Sequence, residues 1–349
     1  MADNMDLDIS GLILRISLLE VETKLKDDLV DIFDPFVTGD GSEHHEILCV
    51  VPVKTRRWRG VNQERMSLIK EVLEEPLNKF PFVEDTEKMI GCLLKRVRPF
   101  LASPETKGYL SRVKHRRDIQ VYHLPGGLLI RRLHGRESVL FLKVNARRRF
   151  KAASLYGAAY FIASNAMPIQ DGLMLHGVGV SRFGSGVLFL GASGGGKTTV
   201  AELSPPGNVI SDDCIIVKRK GEEYFLHPSP FNQYLGSNVG LRRRLAIGLF
   251  LEKDRSVYLQ EISPSEACAR ILMNYIHFFR HYPSDTAEKS FELVTSMCNQ
   301  TPFYVLHFNK TPSFWKLLED RLFMLKPKIK EQYYGFEEEK TTLRTSQGL

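Results

Sequence analysis

Apolar residues recur at three-to-four spacing over residues 62–78, where Met66, Leu68, Ile69 and Val72 set the period, and again over 84–102. Both stretches predict helices. The period then changes. Residues 119–124, 128–133 and 139–144 are short β-prone runs, and Pro125-Gly126-Gly127 between the first two is a hairpin signal. Residues 152–166 predict one more helix, stopped before Pro168. Its apolar run is short and interrupted by Ser154, Ser164 and Asn165, so it predicts a buried helix and not a membrane span.

From residue 172 onward strands dominate, over 173–180, 187–190, 209–217, 224–226, 247–251, 257–262 and 303–308. Ser263-Pro264-Ser265-Glu266 has the form of a capping box with proline at the first helical position, and predicts a helix to about residue 279. Thr311-Pro312 opens another, with Phe314, Trp315, Leu317 and Leu318 on its apolar side. The pattern divides the chain into a mostly helical α+β region over 1–150, an α/β unit over 151–326 and a charged tail over 327–349. No internal repeat is evident.

Composition bounds the rest. A 349-residue chain with 43% hydrophobic and 26% charged residues can bury a sizeable core, which excludes collagen-like and largely disordered classes. The acidic N-terminus lacks an export signal, and the expectation is a cytoplasmic protein away from membranes. The five cysteines are scattered, with no C-x-x-C pair, and indicate neither a disulfide framework nor a zinc site. The net charge is +7, and residues 107–151 hold thirteen Lys and Arg against only Asp118 and Glu137. Such a segment can attract an acidic partner, or form an ordinary solvated face. No zinc finger, aromatic-interleaved RNA motif or helix-turn-helix accompanies it, which argues against nucleic acid.

The sharpest signal is Gly191-Ala192-Ser193-Gly194-Gly195-Gly196-Lys197-Thr198, which fits G-x-x-x-x-G-K-[ST] between a β-run and a helical run. Glycines let successive backbone N–H groups converge on phosphate oxygens at a helix start. Gly191, Ser193, Gly194, Gly195, Gly196, Lys197, Thr198 and the following Thr199 are therefore the expected nucleotide-binding residues. Lys197 would neutralise the β and γ phosphates, and Thr198 would offer a hydroxyl to Mg²⁺. The cofactors expected are ATP and Mg²⁺.

Three further features are expected near the loop. Asp212 and Asp213 fall at the start of an apolar β-run, where strand alternation predicts opposite orientations. One could serve the Mg²⁺ shell while the other accepts a proton from an attacking hydroxyl. His176 lies in the strand expected beside the loop strand, where it could meet the transferring phosphate. Arg242, Arg243 and Arg244 lie in a stretch that reads as a loop over the nucleotide pocket, and one of them could stabilise transferring charge.

Together the His-Gly-Val strand, the Gly191–Thr198 loop and the Asp212-Asp213 pair resemble the catalytic domain of HPr kinase/phosphorylase, and the shorter HPr-kinase-like proteins more than the true enzyme. The resemblance runs over about residues 173–318. It implies a P-loop kinase fold of the HPr kinase and phosphoenolpyruvate carboxykinase type, with a mixed sheet. It also implies His176 at the transferring phosphate, Asp212 as base toward the substrate hydroxyl, Asp213 assisting Mg²⁺, and a homo-oligomer. The expected function is an ATP-dependent kinase acting on a serine hydroxyl of a protein or peptide. The alternatives are a kinase for free serine or a similar metabolite, and a nucleotide-switched binding protein.

Overall fold

The computed structural model describes residues 4–18, 21–34, 36–38, 45–53, 106, 119–132, 135–205, 207–232 and 240–325. The chain opens with β1 (Asn4–Ile9) and β2 (Leu12–Ser17), joined by Ser10 and Gly11 at φ 55° and 89°. A two-residue turn with both φ values positive matches the right-handed twist of the strands it connects. The helix α1 (Thr23–Phe33) comes next and buries Leu25, Leu29 and Phe33. Then come β3 (Val37–Thr38), β4 (Glu46–Val53), β5 (Ile119–Leu124), β6 (Gly127–Arg132) and β7 (Glu137–Lys143). They form one mixed seven-stranded sheet in the order β3-β1-β2-β4-β7-β6-β5, with β2–β4 and β4–β7 parallel. Among the described residues this region is a sheet with one helix. The helices expected over 62–78 and 84–102 lie outside the described residues.

The helix α2 (Arg148–Ala166) lies against this sheet. Leu155, Ala158, Ala159, Phe161, Ile162 and Ala163 are buried in a core that takes Leu7, Leu14, Leu48, Leu129 and Leu140 from the first sheet and Met174, Ile216 and Phe231 from the C-terminal half of the chain. Burial on more than one side explains why α2 lacks a polar stripe. Each large side chain withdrawn from water here contributes about 1.5–3 kcal/mol. The two halves of the chain thus share a core around one helix. Among the described residues no helix is long and apolar enough to cross a membrane.

A short 3₁₀ turn (Met167–Gln170) leads into β8 (Gly172–Arg182), β9 (Ser185–Leu190), α3 (Lys197–Glu202), β10 (Val209–Ser211), β11 (Cys214–Lys220), β12 (Glu223–His227), β13 (Arg243–Lys253) and β14 (Tyr258–Glu261). The remaining elements are α4 (Pro264–Asn274), a 3₁₀ turn (Phe279–His281), α5 (Ser284–Gln300), β15 (Phe303–Phe308) and α6 (Ser313–Leu325). This second sheet has eight strands and is also mixed: β9 and β15 run parallel to β13, while β8 is antiparallel to β9, β10 and β11. The α/β class with a mixed sheet stands.

Three sequence expectations change in detail. The run over 209–217 is two strands, β10 and β11, with the aspartate pair in the break. The capping box is present, Ser263 Oγ accepting from the Glu266 N–H at 3.1 Å, but α4 stops at Asn274 and not near 279. The 17-residue α5 is absent from the sequence expectations; it buries Leu293, Val294, Met297 and Cys298 against the sheet, an i, i+1, i+4, i+5 signal visible in retrospect.

Candidate active site

The glycine loop starts where β9 ends. Leu190 is the register partner of Gly177 on β8 and of Phe250 on β13, so the loop leaves the sheet between two strands. Gly194 and Gly196 have φ of 74° and 106°. At Gly196 a Cβ would stand 2.4 Å from Cζ of Phe308, so the position combines a backbone few L-residues adopt with no room for a side chain. The Gly195 N–H closes the curl on the Ala192 carbonyl at 2.8 Å. Ser193, Gly194 and Thr198 are exposed, and Thr199 is half-buried.

Lys197 is buried at the first turn of α3, and its Nζ donates to the carbonyls of Gly191 (2.8 Å) and Ala192 (3.1 Å). Burial lowers its pKa, and the Asp213 carboxylate opposes that shift.

The aspartates sit where β8 changes partners. β8 pairs with β11 through His176 and with β9 from Gly177 onward, and in the gap the Gly177 N–H donates to the Asp213 carbonyl at 3.0 Å. Asp213 itself is left-handed at φ 65°. The carboxylates are therefore placed by a break in the strand and not by the alternation expected of a continuous one. Asp212 is 4% exposed, whereas the Asp213 side chain keeps 24% of its surface in solvent.

His176 completes the group. Its Nδ1 is 3.0 Å from the Asp213 carbonyl oxygen and 3.3 Å from a carboxylate oxygen of the same residue. Only acceptors face Nδ1, so the neutral ring carries its proton there and presents Nε2 as an acceptor. Burial and Lys197 lower the His176 pKa while Asp213 raises it. His176, Asp213 and Lys197 thus form one electrostatic unit beside the loop.

Sequence reasoning passed over the walls of this site. Tyr156 of α2 stands near Asp212, Asp213 and Cys214, and Tyr160 near Cys214; burial pushes both phenols up. Phe231 packs on both tyrosines, with centroids at 5.4 and 4.8 Å. His277 lies 4.8 Å from the His176 ring. A tyrosine pair at i, i+4 on an apolar helix was the legible signal for the first two, since it places both rings on one face.

The arginine triplet, by contrast, is not brought to the loop. Leu245 pairs with Gly186 at the start of β9, while Phe250 pairs with Leu190 at its end. Arg243 and Arg244 therefore lie at the opposite end of β13 from the loop, roughly 15 Å or more away at about 3.3 Å per residue. Arg243 Nε donates to Ser181 Oγ at 3.0 Å, and Arg244 pairs with Glu223 at 2.5 Å. Other cations of the basic stretch are likewise engaged: Arg131 with Glu46, Arg148 with Asp28 and Lys151 with Glu22.

The donor set fits a magnesium nucleotide. An exposed glycine curl, a buried lysine on its carbonyls, two hydroxyls and a half-open carboxylate are the groups such a ligand uses. Among the described residues no group of three or more His, Cys, Asp or Glu could hold a metal ion. Magnesium on a nucleotide needs no such cage, because phosphates and water complete its shell. Thr198 and Asp213 are the residues that would hold it.

Residues 143–324, just over half of the chain, match the family described as SynChlorMet cassette protein ScmC. The chain belongs to this family. The ScmC match runs from the end of β7 into α6, and so takes in α2, His176, the glycine loop, the aspartate pair and His277. An 89-residue stretch is also 38% identical to an HPr kinase/phosphorylase of Mycoplasmopsis pulmonis (strain UAB CTIP). That alignment covers 25% of this ScmC-family chain and 26% of the relative. The chain thus spans about a quarter of the relative's length, and the likeness is to a kinase over that part alone.

Proposed function

We propose that this protein is a Mg²⁺- and ATP-dependent phosphotransferase of the HPr-kinase-like P-loop type, which moves the γ-phosphate to a hydroxyl, in the first instance a serine of a protein or peptide. The observation that carries the reading is the convergence of Lys197, His176 and Asp213 beside an exposed glycine loop. The partial likeness to an HPr kinase/phosphorylase supports it.

Bound nucleotide would supply the phosphoryl group and, with its magnesium, spread the charge that builds during transfer. The chain's own residues do the rest. Residues Gly191, Ser193, Gly194, Gly195, Gly196 and Thr199 cradle the phosphates, and Lys197 neutralises them. Asp213 and Thr198 hold the metal. His176, neutral and with Nε2 as acceptor, orients Asp213 through its Nδ1 proton and can shuttle a proton at Nε2. Asp212 takes the proton of the acceptor hydroxyl, and its burial beside Tyr156 keeps water from competing for it. The exposed Arg147 and Arg149 would favour an acidic partner.

The test is recovery of the product. Incubating the protein with Mg²⁺, ATP and a host extract should yield a new phosphoserine ester in a polypeptide, identified by mass spectrometry. Phosphate ester only in a small molecule would replace the peptide acceptor with a metabolite, and free phosphate alone would overturn the kinase reading.

A further inference from the structure

The α4 helix stops at Asn274, and the chain then turns to run beside β8. The Tyr275 carbonyl accepts from the His176 N–H at 2.8 Å, and Ile276 bridges to Leu175. These contacts fix the next residue. The His277 ring meets that of His176 at 4.8 Å between centroids and 77° between planes, edge to face, and its other ring contacts include Tyr160 of α2 at 5.5 Å.

Holding His277 there carries strain. Phe278 is left-handed at φ 62°, a conformation that costs a bulky residue on the order of 1 kcal/mol or more. Packing offsets it: the Phe278 ring lies against Phe161 (5.1 Å), Tyr160 (5.8 Å) and Tyr122 (6.5 Å). Beyond it, Gln120 Nε2 donates to the His281 carbonyl, and Tyr122 meets the His281 ring edge-on at 5.5 Å. Gln120 and Tyr122 belong to β5, the edge strand of the first sheet. That sheet therefore grips the turn on the C-terminal side of His277.

We propose that His277 is a positioning residue of the transfer site, and that β5 of the N-terminal sheet sets its placement by clamping the strained turn over residues 275–281. His277 presents a ring to His176 that limits the plane His176 can adopt, and so fixes where Nε2 of His176 points. A purely structural aromatic contact would leave turnover and the His176 environment unaltered when the clamp is loosened from a distance. The kinetic part of the proposal rests on the phosphotransferase reading; the placement rests on ring geometry alone.

The experiment uses the full chain with isotope-labelled histidine, as wild type, His277→Ala, His277→Gln and Gln120→Ala. His277→Ala should move the His176 ring resonances. Gln120→Ala, which touches neither ring, should move the His176 and His277 resonances together while the rest of the spectrum stays folded. Turnover of Mg·ATP should fall roughly ten- to hundred-fold in kcat for His277→Ala, with KM for ATP within about two-fold, and His277→Gln should restore part of it. An unmoved His176 resonance in His277→Ala overturns the placement. Unmoved resonances in Gln120→Ala overturn the clamp. An unchanged kcat in His277→Ala, with the resonance moved, overturns the positioning role. A wild type with no turnover overturns the phosphotransferase reading and the kinetic part with it, while the resonances still decide the placement.

Discussion

His176 Nδ1 lies within 3.0 Å of the Asp213 carbonyl and 3.3 Å of its carboxylate, so one imidazole edge reads both the backbone and the side chain of a single left-handed aspartate. The break between β10 and β11 makes this possible, because left-handed Asp213 turns its carboxylate and its carbonyl toward the same ring while that carbonyl also accepts from the Gly177 N–H of β8. Asp213→Asn keeps the shape but removes the charge. The expected outcome is a raised Mg²⁺ requirement with the fold retained, checked by Mg²⁺ titration of ATP turnover beside thermal melting.

Gly196 and Gly194 make a matched pair. Both have positive φ, but a Cβ at Gly196 meets Phe308 at 2.4 Å whereas one at Gly194 meets nothing within 4 Å. Gly196→Ala should destabilise the fold by about 1–3 kcal/mol and abolish nucleotide binding. Gly194→Ala should cost about 1 kcal/mol and leave the fold's other contacts intact. Denaturant unfolding of the two variants, with nucleotide titration, checks the contrast.

The chemistry-bearing loop was legible because its residue types are dictated locally: a tight curl at a helix start needs Gly194 and Gly196 whatever packs around it. The buried helix over 152–166 was legible for the same reason, in a run with no polar face. The N-terminal sheet was harder. Met5, Leu7 and Ile9, then Leu12, Leu14 and Ile16, do alternate around a Ser10-Gly11 turn, but Ile13 breaks the period in the second run, and Asp6, at a polar position, is buried at 3% exposure where Arg15 pairs with it. The end of α4, the position of His277 and the removal of Arg243 and Arg244 from the loop depend on which strands become neighbours. The choice of neighbouring strands is made by long-range pairing, which a local stretch of sequence does not show.

Buried charge gives a pH signature away from the site. Burial pushes the Glu46 carboxyl up to about 7, against the pull of Arg131 at 3.3 Å. The folded state then binds a proton that the unfolded state releases near 4.5, so Glu46 is most favourable to folding below that pH, and the benefit fades as pH rises to 7. The loss amounts to up to about 3 kcal/mol. Unfolding free energy measured at pH 5 and pH 8 should fall more in wild type than in Glu46→Gln, which keeps the neutral form at both.

Arg147 and Arg149 are exposed, while Arg148 is taken by Asp28. Reversing Arg147 and Arg149 to glutamate should raise KM for an acidic acceptor several-fold and leave KM for ATP unchanged, an effect that weakens with added salt. Steady-state kinetics at two ionic strengths checks it.

The most direct measurement is transfer of label from γ-labelled ATP with Mg²⁺ into a host extract, separated into macromolecules and small molecules, with Lys197→Ala and Asp212→Asn as folded controls. The account predicts label in a polypeptide with the wild type. It also predicts ATP affinity weakened by about ten-fold or more in Lys197→Ala, and ATP still bound without transfer in Asp212→Asn. Equal labelling by wild type and both variants, or none by any, would contradict it.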